Sequence, residues 1–183
     1  MITRRAPDPV RCPDGKGSGA MTSAHAGHPR SDETAQELLD VQAIRSLVER
    51  YAFAMDRRDS ELMRTCFTPD ADLSYFGGLR HFDRDGFADS LVGSLAPFKT
   101  VNHSVSSIRV TVDGDTAGAD MHIFATMMLA DRPSVIVRGV HVVDEYLRTA
   151  EGWKVSRRAH EPFLQYEVPR SPIDFPGVGG INE

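Results

Sequence analysis

The spacing of apolar residues divides this chain into a helical first half and a β second half. From Leu38 onward, Val41, Ile44, Val48, Tyr51 and Met55 recur at three- and four-residue steps, which places them on one face of a long helix. Leu47 and Ala52 widen that stripe to the breadth of a helix lying on a sheet. Asp56 follows at the edge of the stripe, as either the solvated end of the helix or a functional acid aimed into a cavity. Asp59 or Ser60 can cap a short second helix whose apolar face is Leu62, Cys66 and Phe67. Thr68-Pro69-Asp70 breaks that helix, because proline disfavours helical geometry in the residue before it. Leu73, Tyr75 and Gly77 then alternate with Asp72, Ser74 and Phe76 as a first strand, which Gly77-Gly78 ends or bends. Asp83 is placed to cap a third helix carrying Phe87, Leu91, Val92 and Leu95, closed by Pro97.

From Thr100 the period becomes two. Val101 to Val105 leads into Ile108 to Val112, and Asp113-Gly114 is a strong hairpin turn. A return strand runs from Thr116 to Leu129 and a third from Ser134 to Leu147. Ala150-Glu151-Gly152 then turns into Trp153 to Arg158. Three helices followed by consecutive long strands predict an α+β fold, with three N-terminal helices packed on one face of a strongly curved mixed or antiparallel sheet. A bent sheet wrapped around a helix leaves a cone-shaped apolar pocket, where function is expected.

Composition adds boundaries and exclusions. Residues 1–34 are rich in Pro, Gly, Ser, Ala and charge without apolar periodicity, which predicts a disordered tail. Residues 35–165 form the expected domain and 166–183 a C-terminal tail. Met21 is an alternative start, and His25 and His28 read as parts of a flexible segment. Length 183 predicts one folded domain, and a net charge of −5 gives no electrostatic case for nucleic acid or an anionic membrane. No apolar run approaches the roughly 20 residues that span a bilayer, and no hydrophobic segment follows the early arginines as in a secretory signal. Cys12 and Cys66 fall in a polar tail and an apolar helix, so no disulfide framework is expected. A soluble cytoplasmic protein is predicted.

Particular segments carry a family resemblance. Asp40-Val41-Gln42-Ala43-Ile44-Arg45-Ser46-Leu47-Val48-Glu49-Arg50-Tyr51, Met55-Asp56-Arg57-Arg58-Asp59 and Cys66-Phe67-Thr68-Pro69-Asp70-Ala71 resemble the SnoaL-like branch of the NTF2-like superfamily. So do Asn102-His103-Ser104, Asp144-Glu145-Tyr146-Leu147-Arg148 and Glu151-Gly152-Trp153-Lys154-Val155. The resemblance covers about residues 35 to 165 and implies the fold more specifically than the reaction. The superfamily includes scytalone dehydratase, a hexachlorocyclohexane dehydrochlorinase, polyketide cyclases, ketosteroid isomerase and non-catalytic members. By resemblance to the dehydratase and dehydrochlorinase, Asp56 and His103 form an acid–histidine pair. Such a pair suits proton removal from carbon, because the carboxylate fixes the imidazole tautomer and stabilises the cation that forms. Tyr75 matches a pocket tyrosine of the dehydratase, as an oxyanion donor or as a core tyrosine with a satisfied hydroxyl. The positions matching two cations of the dehydrochlorinase hold Tyr51 and His141, which argues against chloride departure. Tyr51 also matches the oxyanion tyrosine of ketosteroid isomerase, but Tyr75 stands where that enzyme has its aspartate base.

The leading expectation is a cofactor-independent lyase or isomerase, dehydratase-like, acting on a small, largely apolar, oxygenated substrate. His103 is its expected base and Asp56 the partner, with Tyr75, Tyr51 and His141 as polar pocket groups. The apolar walls are expected from Phe53, Met55, Phe76, Phe98, Val101, Met121, Ile123, Phe124, Met127 and Val143. The alternatives are a polyketide cyclase or a non-catalytic module that binds a ligand or a partner subunit. A metal enzyme would need His103, His122, His141 and His160 to converge, and no metal or other cofactor is expected. The family habit implies a homodimer or homotrimer.

Overall fold

A computed structural model describes residues 31–171, 173–175 and 179–181. Met21, Cys12, His25 and His28 lie outside the described residues, as does most of the expected N-terminal tail. The chain runs through α1 (Ser31–Arg57), α2 (Ser60–Arg64), β1 (Phe67–Tyr75), β2 (Arg80–Phe82) and α3 (Arg84–Leu95). Four long strands follow: β3 (Phe98–Asp113), β4 (Thr116–Leu129), β5 (Ser134–Thr149) and β6 (Gly152–Pro169). A small separate hairpin pairs β7 (Ile173–Phe175) with β8 (Gly179–Ile181).

The six-stranded sheet has the order β2-β1-β6-β5-β4-β3. Only β1 and β6 pair parallel; the other neighbours are antiparallel. Register shifts within β3, β5 and β6 locally bend the strands, and the sheet is curved and unclosed. The α+β expectation therefore holds, as do the α3 N-cap at Asp83 and the α2 N-cap at Asp59, whose carboxylates accept backbone N–H groups of Gly86 and Leu62. Gly114 takes a positive φ of 59° at the β3–β4 turn.

Two expectations about boundaries change. Phe67 and the Thr68-Pro69-Asp70 break belong to β1, not to the second helix and its end. Strand β2 pairs only with Leu73 to Tyr75, so Pro69 lies where β1 has no neighbour on that side and no donor is missed. Strand β6 continues to Pro169, paired with Ser134, beyond the Trp153 to Arg158 expected of it.

The apolar stripe of α1 packs on the concave face: Ile44, Leu47, Val48, Tyr51 and Ala54 join Leu73, Met121, Ile123, Val140 and Val142 in one buried core. The N-terminal half of α1 is pinned by a clamp. Asp40 accepts two bonds from Arg148, each 2.7 Å, and one from Trp153 Nε1 at 3.0 Å. Arg148 also stacks over the Trp153 ring. These bonds hold the Asp40 carboxyl well below the ordinary carboxylate range, Arg148 contributing most. Cys66 is buried, and burial pushes its thiol up. No described helix is long and apolar enough to cross a membrane.

Candidate active site

At the end of α1 the helix delivers Asp56 to the inner face of β3. Asp56 Oδ1 lies 2.7 Å from His103 Nδ1, and the backbone N–H of His103 donates to both carboxylate oxygens at 3.0 and 3.2 Å. Asn102 Nδ2 reaches the same carboxylate at 3.5 Å. A carboxylate only accepts, so Nδ1 carries the proton and the lone pair sits on Nε2. Immediately after Asp56 the chain turns at Arg58, whose φ is 55°. Arg58 donates to the carbonyls of Leu95 and Phe98, tying the α1 end to the α3–β3 connection.

His103 opens onto a cavity of about 320 Å³ between α1, α3 and the concave sheet. Its walls are mainly apolar: Met55, Phe76, Phe82, Phe87, Leu95, Phe98, Ile123, Met127, Val140 and Val142. The polar groups are Tyr51, Tyr75, Ser90, Ser94, His103, Arg138 and His160. Tyr51 and Tyr75 join their hydroxyls at 3.1 Å, and Arg158 Nη1 donates to the Tyr75 hydroxyl at 3.3 Å. Arg158 is buried and closed by Asp144, with bonds of 2.8 and 2.6 Å, while Tyr146 donates to the same carboxylate at 2.9 Å. Burial pushes both Tyr51 and Tyr75 up, so both hydroxyls stay protonated: one O–H donates in the bond they share, and the other is left to donate to a further acceptor.

His160 lies against Tyr75 with ring centroids 4.5 Å apart. The backbone N–H of Phe76 donates to its Nδ1 at 3.4 Å, which puts the ring proton of the neutral form on Nε2. Burial, with Arg158 nearby, lowers His160 from 6.5 to about 4.

The structure brings together His103, Asp56, Tyr75, Tyr51 and Met55, and with them Phe76, Phe98, Ile123 and Met127 of the expected walls. It does not bring in the rest. His141, Val143 and Phe124 lie on the opposite, outer face, where His141 Nε2 is 2.9 Å from Asp120 and Phe124 meets Phe163 edge-on. His141 and Val143 thus share the outer face of β5 with Gly139, and neither is the pocket group expected of it. Val101 and Met121 face inward and pack into the core without reaching the cavity wall, and Phe53 is exposed. The inner residues of β5 are Arg138, Val140, Val142, Asp144 and Tyr146. Asp144 disguised that face, because a fully buried acid makes its pattern no more apolar than His141-Val143-Glu145-Leu147 opposite. Arg138, Arg158 and His160 escape the alternation for the same reason: polar and charged residues carry no inward signal in a period-two pattern. The four histidines do not converge either. His122 and His141 neighbour each other on the outer face, His103 and His160 face the cavity, and no group of three potential metal ligands forms among the described residues.

Comparison with known proteins places this architecture. The SnoaL-like domain matches residues 36–159. Rv2910c of Mycobacterium tuberculosis strain H37Rv is 31% identical over 141 residues, covering 74% of this chain and 94% of that protein. Among solved structures, a candidate scytalone dehydratase from Novosphingobium aromaticivorans superposes with a TM-score of 0.67 at 19% identity, covering 73% of this chain and 90% of that one. The hexachlorocyclohexane dehydrochlorinase LinA-type3 of Novosphingobium barchaimii gives 0.63 at 20% identity, covering 78% and 97%. At such identities these two likenesses speak for the fold alone. The match over residues 36–159 decides the family: the chain belongs to the SnoaL-like domain family.

Proposed function

We propose that this protein is a cofactor-independent lyase or isomerase, dehydratase-like, in which His103 removes a carbon-bound proton from a small, largely apolar, oxygenated substrate. The observation that carries the reading is the 2.7 Å contact between Asp56 and His103 Nδ1 at the wall of an apolar cavity. With Nδ1 bonded to the carboxylate, Nε2 of His103 has no protein partner among the described residues and is free to act as the base. As it takes the proton, the imidazolium is stabilised by Asp56 inside a poorly solvated site. The negative charge developing on the substrate oxygen is met by the Tyr75 hydroxyl, which Arg158 polarises from behind. The dyad alone does not choose between loss of water, double-bond migration and ring closure, so the polyketide-cyclase alternative shares the same residues. Solved neighbours described as dehydratase and dehydrochlorinase support the class.

A structural pair in a non-catalytic module would be filled over by side chains, whereas this one faces an open volume, which favours chemistry. Exposed Val143, Phe163, Leu164, Tyr166 and Val168 on β5 and β6 support the expected homodimer or homotrimer, which light scattering on the purified protein would test.

The test of the reaction is to incubate wild type, His103→Gln and Asp56→Asn, each verified as folded, with small-molecule extract of the source cells and follow masses. A compound converted by wild type and spared by both variants supports the reading, and its mass change names the reaction. Equal conversion by all three, or enrichment of an unaltered compound by all three, overturns it in favour of a binding module.

A further inference from the structure

The cavity holds a cation that the dyad mechanism does not use. Arg138 lines the wall, partly buried, and no ion pair involves it among the described residues. Its neighbours are neutral. Nε donates to Gln165 Oε1 at 2.9 Å, and its guanidinium carbon lies 5.9 Å from the centroid of the Phe76 ring. The other buried arginine of the site, Arg158, is closed by Asp144 through two short bonds. Arg138 therefore pays desolvation without the compensation Arg158 receives, and that cost lowers its affinity for its proton.

The sheet register fixes where this cation stands. His103 pairs directly with Ala125 across β3 and β4, and Ala125 pairs directly with Arg138 across β4 and β5. Directly opposed residues of antiparallel strands point to the same face, and all three line the cavity. Base and cation thus occupy the two ends of one row, with backbones two strand spacings or roughly 10 Å apart. The residue between them is an alanine, whose methyl group leaves the space over the row open. His160 lines the same cavity with its ring 5.3 Å from the Phe76 centroid that Arg138 also approaches, and in its neutral form it carries its proton on Nε2 as a further donor. A planar guanidinium that offers paired N–H donors into an apolar cavity matches a carboxylate, whose two oxygens it can engage together.

We propose that Arg138 is the specificity-determining residue of the cavity and that the substrate is a small carboxylate, bound with its anionic end on Arg138 and its reacting carbon under His103. The proposal rests on the catalytic reading of the same cavity for its second half, but the anion subsite stands independently of turnover. It narrows the substrate from an oxygenated apolar molecule to an apolar acid whose carboxylate is separated from the reacting carbon by the width of Ala125.

The probes are benzoate and cyclohexanecarboxylate, each compared with its primary amide. Binding is read by calorimetry on full-length wild type, Arg138→Met, Arg138→Lys and His103→Gln. The expected result is that wild type and His103→Gln both bind the acids at least tenfold tighter than the amides. Arg138→Met should lose that preference, while Arg138→Lys should keep part of it. Equal affinity for acid and amide in wild type overturns the proposal, as does failure of wild type to bind either acid, and neither result depends on how a variant folds. A preference that survives in folded Arg138→Met also overturns it. The dyad reading is judged separately: if His103→Gln still turns over the natural substrate, that reading falls while an acid preference lost in Arg138→Met still stands.

Discussion

Asp56 grips His103 twice, through the ring Nδ1 at 2.7 Å and through the backbone N–H at 3.0 and 3.2 Å. The carboxylate thus fixes the strand position of the histidine as well as its tautomer. Asp56→Asn can keep the backbone bond through its carbonyl oxygen, but it then turns an amide N–H₂ toward Nδ1. That arrangement puts the histidine proton on Nε2, the nitrogen that has to act as base. The expected loss in kcat is about 10³–10⁴-fold, as for tautomer reversal in other acid–histidine pairs. Combining Asp56→Asn with His103→Gln should cost no more than His103→Gln alone, because the two act as a unit. Steady-state kinetics on the single and double variants checks this, and additive losses would separate the roles.

The two tyrosines that share a 3.1 Å bond should not be equivalent. Tyr75 also receives Arg158, so its hydroxyl is the polarised one. Tyr75→Phe should lower kcat by about 10²-fold, the scale of one lost oxyanion donor. Tyr51→Phe should lower it by less than about 10-fold, since it acts on substrate only through Tyr75. Equal effects in kcat would contradict the assignment.

Beneath the cavity, Asp144 and Arg158 are an ion pair excluded from water, at 0% and 1% side-chain exposure. Removing one partner strands the other, so Arg158→Met or Asp144→Leu should each cost about 3–5 kcal/mol. The double variant Arg158→Met/Asp144→Leu should recover part of that loss, because no uncompensated charge remains. Urea unfolding of the three proteins measures the difference. A double variant as unstable as the sum of the singles would mean that the pair is not what holds this part of the core.

His160 should contribute to the acid sensitivity of the fold. It falls from 6.5 to about 4 on folding through burial, with Arg158 adding to the shift. Between those two values the unfolded chain holds more protons at this residue than the native state. Stability therefore declines as pH drops from about 6.5 toward 4, and this contribution levels off below. The Asp40 carboxyl, held low by Arg148, acts in the other window: its contribution is present above 3.8 and is lost as pH falls further. His160→Phe, which keeps a ring against Tyr75, should flatten the stability–pH curve between pH 4 and 6.5 relative to wild type. An unchanged slope would show that His160 is not the group responsible.

Much of this architecture was legible from residue spacing. The three- and four-residue steps of Ile44, Val48, Tyr51 and Met55 located α1 and its buried face, and Asp113-Gly114 located the β3–β4 turn. Asp56, His103, Tyr51 and Tyr75 are legible as a set only through the resemblance to the SnoaL-like family, since spacing alone leaves Asp56 as a possible helix end and Tyr75 as a possible core tyrosine. The polar interior of β5 and β6 was not legible. Arg138, Asp144, Arg158 and His160 each face inward on a strand whose outer positions are equally apolar or equally charged, so alternation identifies two faces without saying which is buried. Phe124 misled in the same way: its ring is apolar because it packs with Phe163 on the outer face, not because it lines the cavity.

If His103 takes a proton from carbon, solvent deuterium reads that step itself. Wild type and folded His103→Gln would be incubated in D₂O with small-molecule extract, and masses followed in time. With wild type at least one compound should lose water or gain carbon-bound deuterium, and His103→Gln should leave the same compound unchanged. Exchange or loss at the same rate in both proteins, or in neither, would contradict that role of His103.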